Sequence, residues 1–179
     1  MRICAGKYKG RKLSFGDTFD HIRPTKDRVK ESIFNMLADK CEGAICLDLF
    51  AGSGALGLEA LSRGASHVDF VDIDTRLVHK NSAFLSAENG HSIHKKAFDT
   101  YLKSCSRQYD LVFLDPPWDM PLAYEMSLKA LIEFDILKSN AYIICEHTQT
   151  KVTQLNFEEV KYKRFGRTLV TLLKEKKHE

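Results

Sequence analysis

Residues 115–118 read Asp-Pro-Pro-Trp and directly follow an apolar run, residues 109–114, that is typical of a buried strand. Two prolines fix the backbone and remove two N–H donors, so the peptide carbonyls stay free to accept hydrogen bonds. The exocyclic amino group of a nucleobase needs such a set: Asp115 and the Pro116 carbonyl accept its two hydrogens, and Trp118 stacks on the base. We predict that Asp115, Pro116, Pro117 and Trp118 are catalytic, in methyl transfer onto a base amine. The alternative is a rigid strand-to-helix turn with a packed aromatic ring.

A second motif predicts a glycine loop between a strand and a helix. Residues 52–57 match the pattern G-x-G-x-x-G, and Asp72 follows twenty residues after Gly52. Glycines let the backbone approach a ligand with no Cβ in the way, and the start of a helix presents unpaired N–H groups. Asp72 is placed to accept both hydroxyls of a ribose. These features fit NAD(H) and S-adenosylmethionine (AdoMet) equally well.

Two details favour AdoMet over NAD(H). Asp48, at the mouth of the first predicted strand, would repel a pyrophosphate but suits the ammonium group of methionine. A sheet that ends in an antiparallel hairpin is also typical of AdoMet-dependent enzymes. The alternative for Asp48 is a turn acid that accepts hydrogen bonds from the loop N–H groups. The candidate cofactor residues are Asp48, Phe50, Ala51, Gly52, Ser53, Gly54, Asp72, Ile73 and Phe98.

Strands and helices must alternate to position these motifs. The periodicity predicts strands over Ala44–Leu49, His67–Val71, Ser92–His94, Asp110–Leu114 and Ala141–Glu146. It predicts helices over residues 26–38, Ala55–Ser62, Arg76–Glu88, Phe98–Ser104 and Leu122–Ile132, the first capped by Thr25. Such alternation gives βαβ units, hence an α/β fold with a parallel sheet covered by helices on both faces. Phe157–Lys163 and Thr168–Lys174 predict a closing antiparallel hairpin, and residues 2–4 and 12–14 a short N-terminal one.

The net charge of +3 conceals two basic ends around an acidic middle. Residues 1–40 hold ten Lys/Arg against five Asp/Glu, residues 41–150 nine against fifteen, and residues 151–179 eight against four. Basic termini suit contacts to a phosphate backbone. We therefore expect residues 1–40 to be an RNA-facing extension of a cofactor-binding core, residues 41–179. The candidate RNA contacts are Arg2, Lys7, Tyr8, Lys9, Arg11, Lys12, Arg23, Thr25, Lys26 and Arg28.

Length and composition exclude several classes of protein. A chain of 179 residues predicts one domain, and no apolar run approaches the roughly 18 residues that span a bilayer. The N-terminus lacks the apolar core of a signal peptide, and five cysteines without a C-x-x-C pair predict buried thiols in a reducing cytoplasm. No cluster with metal-ligand spacing is visible, so we expect no metal. Without heptads, we expect a monomer.

The motifs together resemble one known family. Residues 23–37, RPTKDRVKESIFNML, look like the N-terminal signature of the bacterial 16S rRNA guanine-N2 methyltransferases. Residues 48–65, DLFAGSGALGLEALSRGA, are similar to their cofactor loop and first helix, and the basic opening, residues 6–13, is similar too. The resemblance runs nearly end to end.

The resemblance implies a Rossmann-like class I methyltransferase fold with seven strands, AdoMet as methyl donor and methylation of one guanine N2 in 16S rRNA, at position 966 in standard rRNA numbering. It also favours a small-subunit assembly particle as the substrate. The chain departs from the family pattern at Trp118, where Phe or Tyr is more common, and at Ala97, where many members carry an acid or amide beside the adenine. A backbone contact and Phe98 would replace that side chain.

Three other functions fit part of the pattern. An adenine-N6 methyltransferase uses the same tetrapeptide, although a DNA-directed enzyme usually needs a further recognition domain. An NAD-dependent oxidoreductase uses the same glycine loop but leaves residues 115–118 unexplained. A non-catalytic RNA-binding module would not need Asp48, Gly52, Gly54, Asp72 and Asp115.

Overall fold

The computed structural model describes residues 1–15, 27–86, 90–117, 119–120, 122–148 and 156–176. Its helices are α1 (Asp27–Leu37), α2 (Ala55–Ser62), α3 (Arg76–Ser82), α4 (Phe98–Ser104) and α5 (Ala123–Glu133). Its strands are β1 (Ile45–Leu49), β2 (His67–Asp72), β3 (His91–Lys95), β4 (Tyr109–Leu114), β5 (Leu137–His147), β6 (Phe157–Phe165) and β7 (Thr168–Glu175). None of these described helices is long and apolar enough to cross a membrane.

The described strands form one seven-stranded sheet in the order β3-β2-β1-β4-β5-β7-β6. Strands β1 to β5 are parallel, and β7 runs antiparallel to both β5 and β6. The predicted α/β fold with an antiparallel C-terminal hairpin is therefore confirmed. The chain leaves β1 towards β2 and leaves β4 towards β5, so the sheet has its switch point between β1 and β4. Ligands of open α/β sheets bind at this point, beyond the carboxyl ends of the strands.

Two apolar layers cover the sheet because alternate strand residues point to opposite faces. One layer packs α1, α2 and the N-terminal segment against one face, and includes Ile3, Phe34, Leu58 and Phe113. The other packs α4 and α5 against the opposite face, and includes Leu102 and Leu128. Parallel strands buried on both faces explain the near-continuous apolar runs in the sequence.

The N-terminal segment is fastened to α2 by a buried carboxylate. Glu59 is completely buried and accepts hydrogen bonds from the backbone N–H groups of Cys4 and Ala5, at 2.7 and 3.0 Å. The equally buried Lys30 of α1 forms an ion pair with Glu59 at 3.3 Å, and Nζ also donates to the Arg2 carbonyl. The predicted N-terminal hairpin exists as one bridge, between Arg2 and Lys12, with flanking backbone bonds.

Two predicted boundaries are wrong. The helix predicted over Arg76–Glu88 ends at Ser82, and Phe84 instead lies edge-on to the Tyr8 ring with the Arg11 guanidinium over its face. The strand predicted over Ala141–Glu146 begins earlier, at Leu137, which pairs with Tyr109 before a bulge in the ladder. The predicted cap residue Thr25 lies outside the described residues.

Candidate active site

The glycine loop joins β1 to α2 through a series of left-handed residues. Phe50, Gly52 and Gly54 have φ of 72°, 54° and 76°, so the chain reverses within a few residues. The N–H groups of Phe50 and Ala51 both donate to the Val71 carbonyl at 3.0 Å, which ties the loop to the end of β2. The loop thus stands at the carboxyl edge of the sheet, beside the switch point.

Gly57, the last glycine of the motif, is required by close helix–strand packing. A Cβ at this position would lie 2.3 Å from Phe70 Cε1 and 2.8 Å from Val68 Cγ1. No real side chain tolerates that approach, so only glycine lets α2 pack this closely against β2. The motif therefore fixes the direction of the helix, and with it the direction in which the first N–H groups of α2 point.

Asp72 ends β2 and faces the glycine loop. Its Oδ2 accepts the Gly52 N–H at 2.8 Å, and its Oδ1 accepts the Asp74 N–H at 2.9 Å. The twenty-residue spacing read from the sequence is therefore a direct contact between the acid and the first glycine. Each carboxylate oxygen keeps further lone pairs, as a group that accepts two ribose hydroxyls requires.

Asp48 is a buried carboxylate next to the first turn of α2. Its side chain is 3% exposed, and Oδ2 accepts the Gly57 N–H at 2.9 Å. The pKa of Asp48 is raised to about 7: burial raises it most, the Gly57 hydrogen bond lowers it in part, and the nearby Asp72 also raises it. Asp48 thus accepts a backbone hydrogen bond, as in the alternative of a turn acid, but this one bond offsets only part of the free-energy cost of burying the carboxylate. A cationic ligand group would complete the site.

Aromatic and apolar side chains flank the side of the loop near β3 and α4. The rings of Phe50 and Phe98 lie 5.0 Å apart, and Phe98 opens α4 directly after Ala97. Ile73, the residue after Asp72, is 71% exposed. These residues form an apolar surface on the same side of the loop as Asp72. That Ile73 and Phe98 contact the cofactor stays a prediction.

The Asp-Pro-Pro segment leaves β4 at the same edge. Asp115 is half-buried, Pro116 is buried and Pro117 is exposed. The Met120 N–H donates to the Pro117 carbonyl at 3.0 Å, and within the described ranges no backbone N–H donates to the Pro116 carbonyl. Trp118 lies outside the described residues.

Glu146 is a further carboxylate beside Asp115, and sequence reasoning missed it. The last pair of β4 and β5 joins Leu114 to Cys145, so Asp115 and Glu146 come next at the same level. The pKa of Asp115 is raised well above its usual range by burial and by the carboxylates of Glu146 and Asp48. The signal was available, since Glu146 ends a predicted strand that neighbours β4, but the strand order was needed to use it.

Comparison with known proteins places this geometry in a family. The family described as "conserved hypothetical protein 95" matches residues 1–174. The chain belongs to this family. A Haemophilus influenzae protein named "Ribosomal RNA small subunit methyltransferase D" is 41% identical over 175 residues, which cover 93% of this chain and 89% of that protein.

Two further relatives agree with this membership. A Bacillus subtilis protein named, provisionally, as the rRNA methyltransferase YlbH is 38% identical over 82% of each chain. A solved Escherichia coli structure, described provisionally as the methyltransferase yhhF, superposes with a TM-score of 0.86 at 32% identity and covers 99% of both chains. The fold is thus that of the family.

The basic N-terminal residues of this family member occupy different environments. Arg2 pairs with Asp27, with 3.8 Å between Arg2 Nε and Asp27 Oδ2, and the Arg11 guanidinium lies 3.9 Å from the Phe84 ring centre. The Lys7 backbone and Tyr8 backbone N–H groups donate to Ser62 at the end of α2. The side chains of Lys7, Lys9, Lys12 and Arg28 are exposed. Arg23, Thr25 and Lys26 lie outside the described residues.

Asn81 joins the N-terminal segment to the cofactor loop. Its Oδ1 accepts the Ser14 N–H at 2.7 Å, while Nδ2 donates to the Ser14 carbonyl at 3.0 Å and to the Ser53 carbonyl at 2.8 Å. Asn81 is 6% exposed. Sequence reasoning missed this contact, because nothing local in the sequence indicates that residues 14, 53 and 81 meet.

Proposed function

We propose that this protein transfers the methyl group of AdoMet to the exocyclic N2 of a guanine in 16S rRNA, at the position 966 that the family resemblance implies. The observation that carries this proposal is the meeting of three groups at the switch point: the glycine loop, the buried Asp48 and the Asp115-Pro116 corner. Membership of a family whose relatives are named rRNA methyltransferases supports the reaction and the RNA class.

The chain's own residues fit AdoMet in three ways. The absence of Cβ atoms at Gly52 and Gly54 leaves room for backbone approach to the methionine part. Asp48, about half protonated at pH 7 without a ligand, becomes fully ionised beside the ammonium group, which offsets part of its burial penalty. Asp72 accepts the ribose hydroxyls, while Ile73 and Phe98 contact the adenine. A pyrophosphate would meet the Asp48 carboxylate, so an NAD-dependent oxidoreductase is disfavoured.

Asp115 and Pro116 position the amine to be methylated. The target base leaves its stack and enters the site, where stacking on an aromatic ring such as Trp118 contributes about 1–3 kcal/mol. The Asp115 carboxylate and the Pro116 carbonyl accept the two N2 hydrogens, which directs the nitrogen lone pair away from both acceptors. Positioning of this kind supplies a large part of the rate enhancement.

Bound AdoMet supplies an electrophilic methyl group: the N–CH3 bond forms as the C–S bond breaks, and sulfur keeps the electron pair. The nitrogen then carries an excess proton, which Asp115 accepts. An ordinary carboxylate suffices for this role, because the amine becomes acidic only once methyl transfer has begun. Water later receives that proton.

The substrate state is part of the proposal. The exposed basic residues of the N-terminal segment suit phosphates of folded rRNA, and the family resemblance favours a small-subunit assembly particle over free rRNA. The product distinguishes this proposal from the adenine-N6 alternative, because the modified nucleoside identifies the base that was methylated.

The deciding experiment is methyl transfer from labelled AdoMet to small subunits that lack native methylation, followed by nucleoside analysis. We expect N2-methylguanosine, and we expect Asp115→Asn to lower the rate by about 10²- to 10⁴-fold while AdoMet still binds. The matched control is Glu133→Gln on the exposed end of α5, which should retain full activity. Methylated adenosine, or normal turnover by Asp115→Asn, would overturn the proposal.

A further inference from the structure

Glu146 occupies a fixed place beside Asp115, the proposed proton acceptor. β4 and β5 are parallel and in register through Val112–Ile143, Phe113–Ile144 and Leu114–Cys145. The next residues, Asp115 and Glu146, are therefore neighbours across the sheet, with backbones about 4.8 Å apart, the usual spacing of adjacent strands. Nothing in the tetrapeptide motif specifies this second acid.

The side chains of Asp115 and Glu146 also share one face. Phe113 and Ile144 both belong to the core layer under α1 and α2, and successive strand residues alternate between faces. Two residues later, Asp115 and Glu146 return to that same face, at the carboxyl edge of the sheet. Their charges interact: the Glu146 carboxylate is the largest contributor after burial to the raised pKa of Asp115.

The backbone at Glu146 is held in place by its neighbours. The Tyr124 hydroxyl of α5 donates to the Glu146 carbonyl, and the Tyr124 ring lies edge-on to the His147 ring with centres 6.1 Å apart. His147 is itself bonded to the Thr171 hydroxyl at 2.9 Å and is 3% exposed. Glu146 is thus half-buried on a rigid strand end, as a residue that selects a ligand must be.

Two adjacent carboxylates match the edge of guanine and mismatch that of adenine. Guanine presents the N2 amino hydrogens and, next to them, the N1 hydrogen, so two acceptors side by side find two donors. Adenine places a lone pair at N1 next to its amine, and a second carboxylate would face that lone pair. A buried acceptor opposite a lone pair is strongly unfavourable.

We propose that the Glu146 carboxylate accepts the N1–H of the target guanine, while Asp115 accepts an N2 hydrogen, and that Glu146 thereby makes the site select guanine over bases that lack this hydrogen. The proposal rests on the proposed function and deepens it by naming the residue that recognises guanine. It assigns Glu146 as a specificity-determining residue, distinct from the group that accepts the reaction's proton.

The test uses a base that keeps the reacting amine and changes N1. 2-Aminopurine carries the same N2 amine as guanine but has a lone pair at N1 in place of the hydrogen. Small subunits are reconstituted with 16S rRNA that holds either guanine or 2-aminopurine at the target position. kcat/KM is measured on both substrates with the wild-type protein, with Glu146→Gln, whose amide can donate to N1, and with the exposed control Glu133→Gln.

We expect the wild-type protein and Glu133→Gln to prefer guanine by about 100-fold or more. In Glu146→Gln the preference should shrink at least about tenfold, because guanine turnover falls and 2-aminopurine turnover rises. AdoMet affinity and melting temperature of this variant should match wild type, which separates specificity from misfolding. The wild-type protein and Glu146→Gln give four kcat/KM values on the two substrates. Their double ratio isolates the pairing between residue 146 and N1 from other effects of the analogue.

Two outcomes would overturn the inference and leave the proposed function standing: equal turnover of both substrates by the wild-type protein, or an unchanged preference in Glu146→Gln. A third outcome strikes the proposed function itself. If the wild-type protein does not methylate the guanine substrate, both proposals fail together, and the guanine arm of the same assay reports this directly.

Discussion

At the scale of single residues, Asp48 is a buried carboxylate that accepts one hydrogen bond from the described part of the chain. Its pKa of about 7 lies far above the usual value because burial penalises the charged form. Asp48 therefore lowers the folding stability of the ligand-free protein at high pH. Such a residue is expected where a ligand supplies the missing counter-charge, here the ammonium group of AdoMet.

Asp48 predicts a pH dependence of AdoMet binding. Ionised Asp48 binds the ammonium group better than neutral Asp48, so affinity should fall by up to about tenfold per pH unit as pH drops below 7. Asp48→Asn should bind AdoMet weakly and with little pH dependence over the same range. Isothermal titration between pH 5.5 and 7 measures both. Equal slopes in the two proteins would assign the pH effect to another group.

The same residue makes a prediction about stability. The carboxyl pKa is raised from 3.8 to about 7 on folding, so the folded protein holds a proton that the unfolded chain releases between these values. Stability is then lost as pH rises through that window and stays lost above 7. Asp48→Asn should therefore raise the melting temperature of the ligand-free protein at pH 8, and change it little at pH 4. A lower melting temperature at pH 8 would contradict the assignment of this pKa.

Motif spacing identified those site residues whose geometry is local. Asp48, Gly52, Gly57 and Asp72 belong to one strand-loop-helix-strand unit, and the sequence pattern already encodes their contacts. Glu146 and Asn81 depend on which strands are neighbours and on where α3 stops. These are long-range properties that no single window of sequence contains, so sequence reasoning missed both residues.

At the scale of elements, tertiary contacts overrode local propensity in α3. Residues 76–88 have a helical pattern, but Phe84 gains more by packing on Tyr8 and Arg11 of the N-terminal segment than by extending the helix. Prediction and structure agree within one residue at each end for β1, β2, β4, α2, α4 and α5. The three strands are apolar runs that are buried on both faces of the sheet. The predicted end of α3 was wrong because the apolar contact of Phe84 comes from the N-terminal segment and not from the helix.

The buried ion pair between α1 and α2 predicts how the N-terminal segment is held. Lys30 and Glu59 are both completely buried, and Glu59 also binds the N–H groups of Cys4 and Ala5. Removing one partner of a buried pair costs about 3–5 kcal/mol when the other charge is left unpaired. Arg63 Nε still lies 2.8 Å from Glu59 Oε1, so Lys30→Met should lower the unfolding free energy by about 3 kcal/mol or less. Hydrogen exchange at Cys4 and Ala5 should accelerate more than exchange in β4. The exposed Lys129→Met is the control, and uniform acceleration in both regions would argue against a local joint.

At the scale of the whole molecule, basic side chains of the β6–β7 turn lie at the carboxyl edge of the sheet. The register pairs His147 with Leu169 and Leu169 with Arg164, so the β6–β7 turn lies at the edge where Asp115 leaves β4. Lys163, Arg164 and Arg167 are exposed there. The N-terminal segment reaches this edge at Ser14, which Asn81 ties to the glycine loop, whereas Lys7 and Tyr8 contact Ser62 at the far end of α2. The basic C-terminal hairpin thus borders the acidic site, and the basic N-terminal residues extend from that edge along α2.

This arrangement predicts that the N-terminal charges contribute to RNA binding as counterion-releasing contacts. Replacing Lys7, Lys9, Arg11 and Lys12 with Gln should weaken binding and reduce the slope of log K against log salt by about 0.7–0.9 for each lost phosphate contact. Arg11 also packs on Phe84, so the triple variant that keeps Arg11 distinguishes charge from packing. The control neutralises two exposed lysines on α4 and α5, Lys103 and Lys129, which lie on the helices of the opposite face of the sheet, and should leave the slope unchanged. Equal slopes in the N-terminal variant and the wild-type protein would mean that these charges only solvate the surface, and RNA would then have to be held by the β6–β7 turn.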